Sequence, residues 1–152
     1  MCSSARTLLS GADDGYLMMW DMASFKQVCT VKIGTPQASY PICLAAQGSM
    51  ARIAVGCLNK TVKFFTVEQN GPGAANLEVK LTHCTTIENF RPRAIKFLNA
   101  LAFVAFDDCV KLLDFHQTAN ERPRVLDIVN KPHGHVLDFA LATDMSQFYV
   151  LD

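Results

Sequence analysis

A fifteen-residue pattern occurs three times in this chain, and that repetition limits the available folds more than any other feature. Leu8 to Met22, Ile53 to Val67 and Leu101 to Phe115 lie over one another without a gap. Each reads as an apolar strand, a turn holding an Asp or Asn, and a second strand. Asp14, Asn59 and Asp107 share one column, spaced 45 and 48 residues apart. Trp20, Phe65 and Leu113 share another, and Asp21 and Asp114 follow it in the first and third units. Short strands recurring with a period of about 40 to 50 residues mark a propeller, in which each repeat forms one sheet and buries its faces against its neighbours. The pattern therefore predicts an all-β chain forming part of a β-propeller, with about three blades and the start of a fourth.

The segments around the repeats agree with this. Val28 to Ile33, Arg52 to Val55, Thr61 to Val67 and Leu77 to Leu81 are rich in β-branched and aromatic residues, and several alternate with period two. Between them fall turn formers such as Ala12-Asp13-Asp14-Gly15, Leu58-Asn59-Lys60, Asn70-Gly71-Pro72-Gly73 and Asp107-Asp108. No segment reads as a capped amphipathic helix. With 50% hydrophobic and 18% charged residues, the chain has the composition of a folded core.

Charge and apolar patterning exclude several functions. Fourteen Lys and Arg balance fourteen Asp and Glu, so no overall field draws the chain to nucleic acid or an anionic membrane. The longest apolar run, Ala100 to Phe106, is far short of the roughly 20 residues a spanning helix needs. The N-terminus lacks the cationic segment and apolar stretch of a secretory signal. The six cysteines, at 2, 29, 43, 57, 84 and 109, form no C-x-x-C pair. They read as reduced thiols, four of them among apolar or small neighbours, in a nuclear or cytoplasmic protein.

No catalytic set emerges. Asp14, Asn59 and Asp107 occupy the same turn of separate repeats, so they are kept apart and are expected to hydrogen-bond turn amides. Trp20, Phe65 and Leu113 are expected to pack inside the blades. In Asp13-Asp14 and Asp107-Asp108 the adjacent carboxylates point apart, and neither pair continues as a calcium loop. His133 and His135 have the spacing of a metal pair on a strand, but no third ligand lies near them in sequence. There is no G-x-x-x-x-G-K-[ST] and no G-x-S-x-G. No cofactor or metal is expected. One feature outside the repeats stands out: Arg91, Arg93, Lys96, Lys111, Arg122 and Arg124 cluster in the third unit, and with Lys60 and Lys63 they are candidates for a basic rim.

The repeat resembles that of the WD-repeat family. Trp20-Asp21 stands six residues after the turn acid Asp14, where that family's signature stands, and Gly134-His135 is similar to the Gly-His that opens a blade. The dipeptide becomes Phe65-Thr66 and Leu113-Asp114 in the later units. The resemblance places blade units at about 6–33, 40–82, 92–129 and 135–152, the first without its innermost strand, and gives His135 a blade-capping role. A closed ring needs more blades than these, so the chain is expected to be a fragment, an isoform or an incomplete gene product.

Within the family, Arg52 to Asn59, Val62 to Phe65, Pro92 to Phe97, Val104 to Val110 and the stretch from Gly134-His135 to Asp152 are similar to the non-catalytic WD-repeat subunits of tRNA guanine-N7 methyltransferases. Leu151 departs from the Ala of that pattern. The resemblance implies a scaffold without catalysis of its own. Its protein partner would be a methyltransferase subunit that binds S-adenosylmethionine and methylates a tRNA guanosine. Arg91, Arg93 and Lys96 would form the rim that meets the partner or tRNA. The alternative is a protein–protein interaction adaptor in another complex.

Overall fold

The computed structural model describes residues 7–35, 40–47, 52–69, 77–86, 91–114, 124–130, 136, 138–142 and 148–151. Every regular element among them is a β-strand, as the repeat pattern predicts. β1 (Thr7–Gly11), β2 (Tyr16–Asp21) and β3 (Lys26–Lys32) form a three-stranded sheet in chain order. β4 (Pro41–Ala46), β5 (Arg52–Cys57), β6 (Thr61–Gln69) and β7 (Leu77–Thr86) form a four-stranded sheet. A second four-stranded sheet holds β8 (Pro92–Leu98), β9 (Leu101–Phe106), β10 (Cys109–Asp114) and β11 (Arg124–Asn130). β12 (Asp138–Leu141) and β13 (Phe148–Leu151) pair as a fourth. All pairings are antiparallel and join strands adjacent in sequence.

Core layers lie between consecutive sheets. Leu17 and Met19 of the first sheet, with Ile33 just after β3, meet Ile53, Val55, Cys57 and Phe65 of the second. From the other face of the second sheet, Ala54, Val62 and Phe64 meet Ile95, Ala102, Val104, Phe106, Cys109 and Leu113 of the third. Phe103, Ala105 and Val110 then meet Val136 and Phe139. β5 and β9 are apolar at almost every position because both of their faces are covered, which is why strict alternation is missing there.

The registers correct one expectation. Leu8 pairs with Trp20 and Ile53 with Phe65, as the gapless overlay requires. Leu113, however, pairs with Ala102 and not with Leu101. The Asp107-Asp108 turn is one residue shorter than its counterparts, so the third repeat needs a one-residue gap. A slip of one residue sends side chains to the opposite face. Ala102, Val104 and Phe106 are therefore the counterparts of Ile53, Val55 and Cys57, and both trios face the preceding sheet.

Small residues permit the close approach of each next sheet. A Cβ on Gly11 would lie 2.8 Å from Pro41 Cγ, and one on Gly56 would lie 2.7 Å from Pro92 Cβ. These prolines open the inner strands of the following sheets. At the third position, Ala105 shares a core layer with Val136.

Candidate functional site

The turn acids do similar local work in the first two repeats. Asp14 Oδ1 accepts the Tyr16 amide at 2.9 Å. Asn59 Oδ1 accepts the Thr61 hydroxyl at 2.6 Å and, more loosely, the Thr61 amide at 3.4 Å. Each starts the second strand of its hairpin, as Asx turns do. Asp107 differs. Its carboxylate accepts Arg93 Nε at 2.5 Å, and its backbone carbonyl accepts the Val136 amide at 2.8 Å. The shortened turn thus faces the next sheet as well as its own inner strand.

Phe65 and Leu113 are buried between sheets. Trp20 is only half-buried, since it lies on the face of the first sheet turned away from the second. Its indole Nε1 donates to Ser10 Oγ at 2.8 Å. Asp21 caps the β2–β3 turn: Oδ1 accepts the Ala23 amide at 3.0 Å and Oδ2 the Ser24 hydroxyl at 2.7 Å. Asp114 lies at the end of β10 opposite Leu101 and Arg124. His133, His135 and Arg122 fall outside the described residues. Among the described residues no three His, Cys, Asp or Glu side chains converge as a metal site.

The structure divides the basic cluster by task. Arg91 is exposed at the entry to β8 and has no ion pair among the described residues. Arg93 is held by Asp107. Lys96 crosses to the fourth sheet, where its ammonium donates to the Phe139 carbonyl, pairs with Asp138 at 3.2 Å and sits 4.9 Å from the Phe139 ring centroid. Lys63 makes the analogous crossing, donating to the carbonyl of Ile33, just after the last strand of the first sheet. Lys111 is largely buried and pairs with Asp127 at 2.7 Å. Lys60 occupies the left-handed region at φ 67°, and Arg124 is exposed. Arg91 and Arg124 are thus the more open cations, while Lys63 and Lys96 bind sheet to sheet. Sequence reasoning missed that second role, because nothing in a strand's pattern shows that a lysine will reach a neighbouring carbonyl.

Electrostatics follow burial. The amide of Phe139, and after it Lys96, holds Asp138 below the usual carboxylate range. Burial raises the Cys29 and Cys109 thiols and pushes Cys43 up to about 12. A rise of that size leaves roughly a thousandfold less thiolate at a given pH. Cys43 should therefore resist iodoacetamide at pH 8 in the native protein and react once the chain is unfolded. Mass-spectrometric footprinting checks this, and native labelling at the rate of a free thiol would contradict the packing of the partly buried Cys43 against the core.

These sheets are blades, each stacked face to face on the next. The β-propeller domain of Cps50 (Swd1) from Myceliophteria thermophila superposes with a TM-score of 0.64, at 14% identity, over 82% of this chain and 38% of that one. The fold is that of a β-propeller. The chain spans well under half the length of that neighbour. No family model and no curated protein matches the sequence. In propeller terms, β4, β8 and β12 are inner strands, while β3, β7 and β11 are outer ones.

Proposed function

We propose that this protein is a non-catalytic WD-repeat scaffold that supports N7-methylation of tRNA guanosine by a separate methyltransferase subunit. The observation that carries the scaffold reading is the stack of blades itself. Asp14 and Asn59 are occupied in starting their own strands, Asp107 ties its turn to Arg93 and Val136, and Phe65 and Leu113 pack between blades, which leaves surface as what the protein offers. The tRNA assignment rests on the sequence resemblance from Arg52 to Asn59, around Pro92 to Val110, and from Gly134 to Asp152. The partner's cofactor and guanine pocket would supply the chemistry, because a propeller alone does not define an activity.

The test is to delete the full-length gene and measure N7-methylguanosine in the tRNA pool. The expected result is loss of the modification, restored by the full-length protein. Unchanged modification would discard the tRNA assignment and leave an interaction adaptor. Within the rim, charge reversal at Arg91 is the informative substitution, because Arg93 and Lys96 also hold the fold together. Arg91→Glu should slow association with the partner and change its salt dependence while leaving the melting temperature unaltered, since rim charges act mainly on encounter.

A further inference from the structure

We infer that Asp107 is a positioning residue, which holds the Arg93 guanidinium as a fork that takes a carboxylate of the scaffold's protein partner. This rests on the scaffold reading above and deepens it. The inner strands of the second and third sheets begin alike. The register shifts between Pro41 and Cys43 in β4 and between Pro92 and Ala94 in β8, so Ile42 and Arg93 are the extra residues of equivalent bulges. A bulge re-aims the side chain it carries. Pro92 lies against Gly56 of the preceding sheet, and Ala94 packs on the layer that meets the fourth. Arg93, between them, joins neither core layer, and its side chain is 44% exposed.

The turn acid changes its task together with the bulge. Where the bulge carries Ile42, Asn59 binds Thr61 and starts its own strand. Where it carries Arg93, Asp107 turns back and accepts Arg93 Nε at 2.5 Å. Among the described residues Arg93 has no other partner. Bound through Nε, the guanidinium keeps the hydrogens of its two terminal nitrogens for a second acceptor, in the planar geometry that matches a carboxylate. The Asp107 carbonyl is itself fixed, since it accepts the Val136 amide at 2.8 Å. An arginine held in this way binds at a smaller ordering cost than a free one.

The surroundings favour a protein carboxylate over nucleic-acid phosphate. Asp107 and Asp108 occupy the turn itself, and a run of phosphates would meet both. Ile42, 38% exposed, stands at the corresponding place on the neighbouring inner strand. The two sheets touch there, where Gly56 approaches both Cys43 and Pro92. An aliphatic side chain beside the fork suits an acidic residue flanked by an apolar one. Arg91 lies at the same end without an ion pair among the described residues and adds attraction during encounter.

The test uses the full-length protein, and the probe is the purified catalytic subunit of the tRNA guanine-N7 methyltransferase from the same organism. Arg93→Asp combined with Asp107→Arg keeps an ion pair between β8 and the turn but takes the fork from its place. This exchanged pair should melt close to wild type yet associate at least about tenfold more weakly. Asp107→Asn leaves Arg93 charged but less firmly held, and should weaken association by a smaller factor. Wild-type association by the exchanged pair would overturn the proposal, because the internal ion pair would then be the whole role of both residues, and would leave the scaffold reading intact. No association by the wild type would overturn the scaffold reading and the proposal with it. If the exchanged pair melts early, Arg93→Lys decides, since it keeps the charge and loses the fork. Undiminished association in Arg93→Lys or in Asp107→Asn would sink the proposal. So would a loss seen with tRNA and not with the catalytic subunit, because the fork would then serve a phosphate.

Discussion

Phe106→Ala should lower the free energy of unfolding by about 3–5 kcal/mol, the range for removing a buried phenylalanine from a packed core. Phe106 is fully buried, and its core layer joins Ala54, Val62 and Phe64 of the second sheet to Ile95, Ala102, Val104, Cys109 and Leu113 of the third. The lost apolar burial is one part of the cost. The cavity is the other, because strands fixed by hydrogen bonds on both sides of β9 cannot collapse into it. Since a domain's whole stability is about 5–15 kcal/mol, the loss is a large share. It should appear as a lower denaturant midpoint and as faster proteolysis throughout the second and third sheets. Ile128→Ala, at an exposed position on β11, should stay within about 0.5 kcal/mol and serves as control. If both variants changed stability equally, the layer between these sheets would not be a core.

Phe106 also shows where the sequence was readable and where it was not. The hairpins and the all-β class were legible because turn chemistry and repeat period are local properties. Asp14 and Asn59 announce Asx turns, and the strands beside them carry β-branched and aromatic residues. The facing of β9 was not legible. Leu101-Ala102-Phe103-Val104-Ala105-Phe106 is apolar throughout, so a shift of one residue leaves its pattern unchanged. With both faces covered, alternation offers no register mark, and Asp107-Asp108 looks like a full-length turn. The small-residue column held a usable signal: Gly11 and Gly56 align with Ala105 only when a gap is allowed.

The candidate surface was legible in composition but not in geometry. The concentration of Arg91, Arg93 and Lys96 was visible in the sequence. Their division was not, because the partners of Lys96 lie 42 and 43 residues away at Asp138 and Phe139.

Gly56→Ala should destabilise the protein by about 1–3 kcal/mol, the cost of overpacking a close-packed contact. The opposite sign is the natural first guess. Replacing glycine by alanine within a strand reduces the freedom of the unfolded chain and typically gains about 0.4–1 kcal/mol where the backbone permits it. Gly56 is not held in the left-handed region, so its backbone does permit alanine. Space decides against it. The added carbon would lie 2.5 Å from Cys43 Sγ, 2.7 Å from Pro92 Cβ and 2.8 Å from Pro92 Cγ. The thiol can turn aside, but the proline ring is stiff, buried and placed at the start of β8. Relief would require moving the inner strand of the third sheet away from the second, which would open the layer around Phe64 and Phe106. The variant should therefore melt at a lower temperature than wild type. Pro92→Gly removes both ring contacts, so the double variant should recover at least about 0.5 kcal/mol relative to the sum of the single changes, as expected for neighbours in direct contact. A neutral or stabilising Gly56→Ala would mean that the second and third sheets stand farther apart than the structure places them.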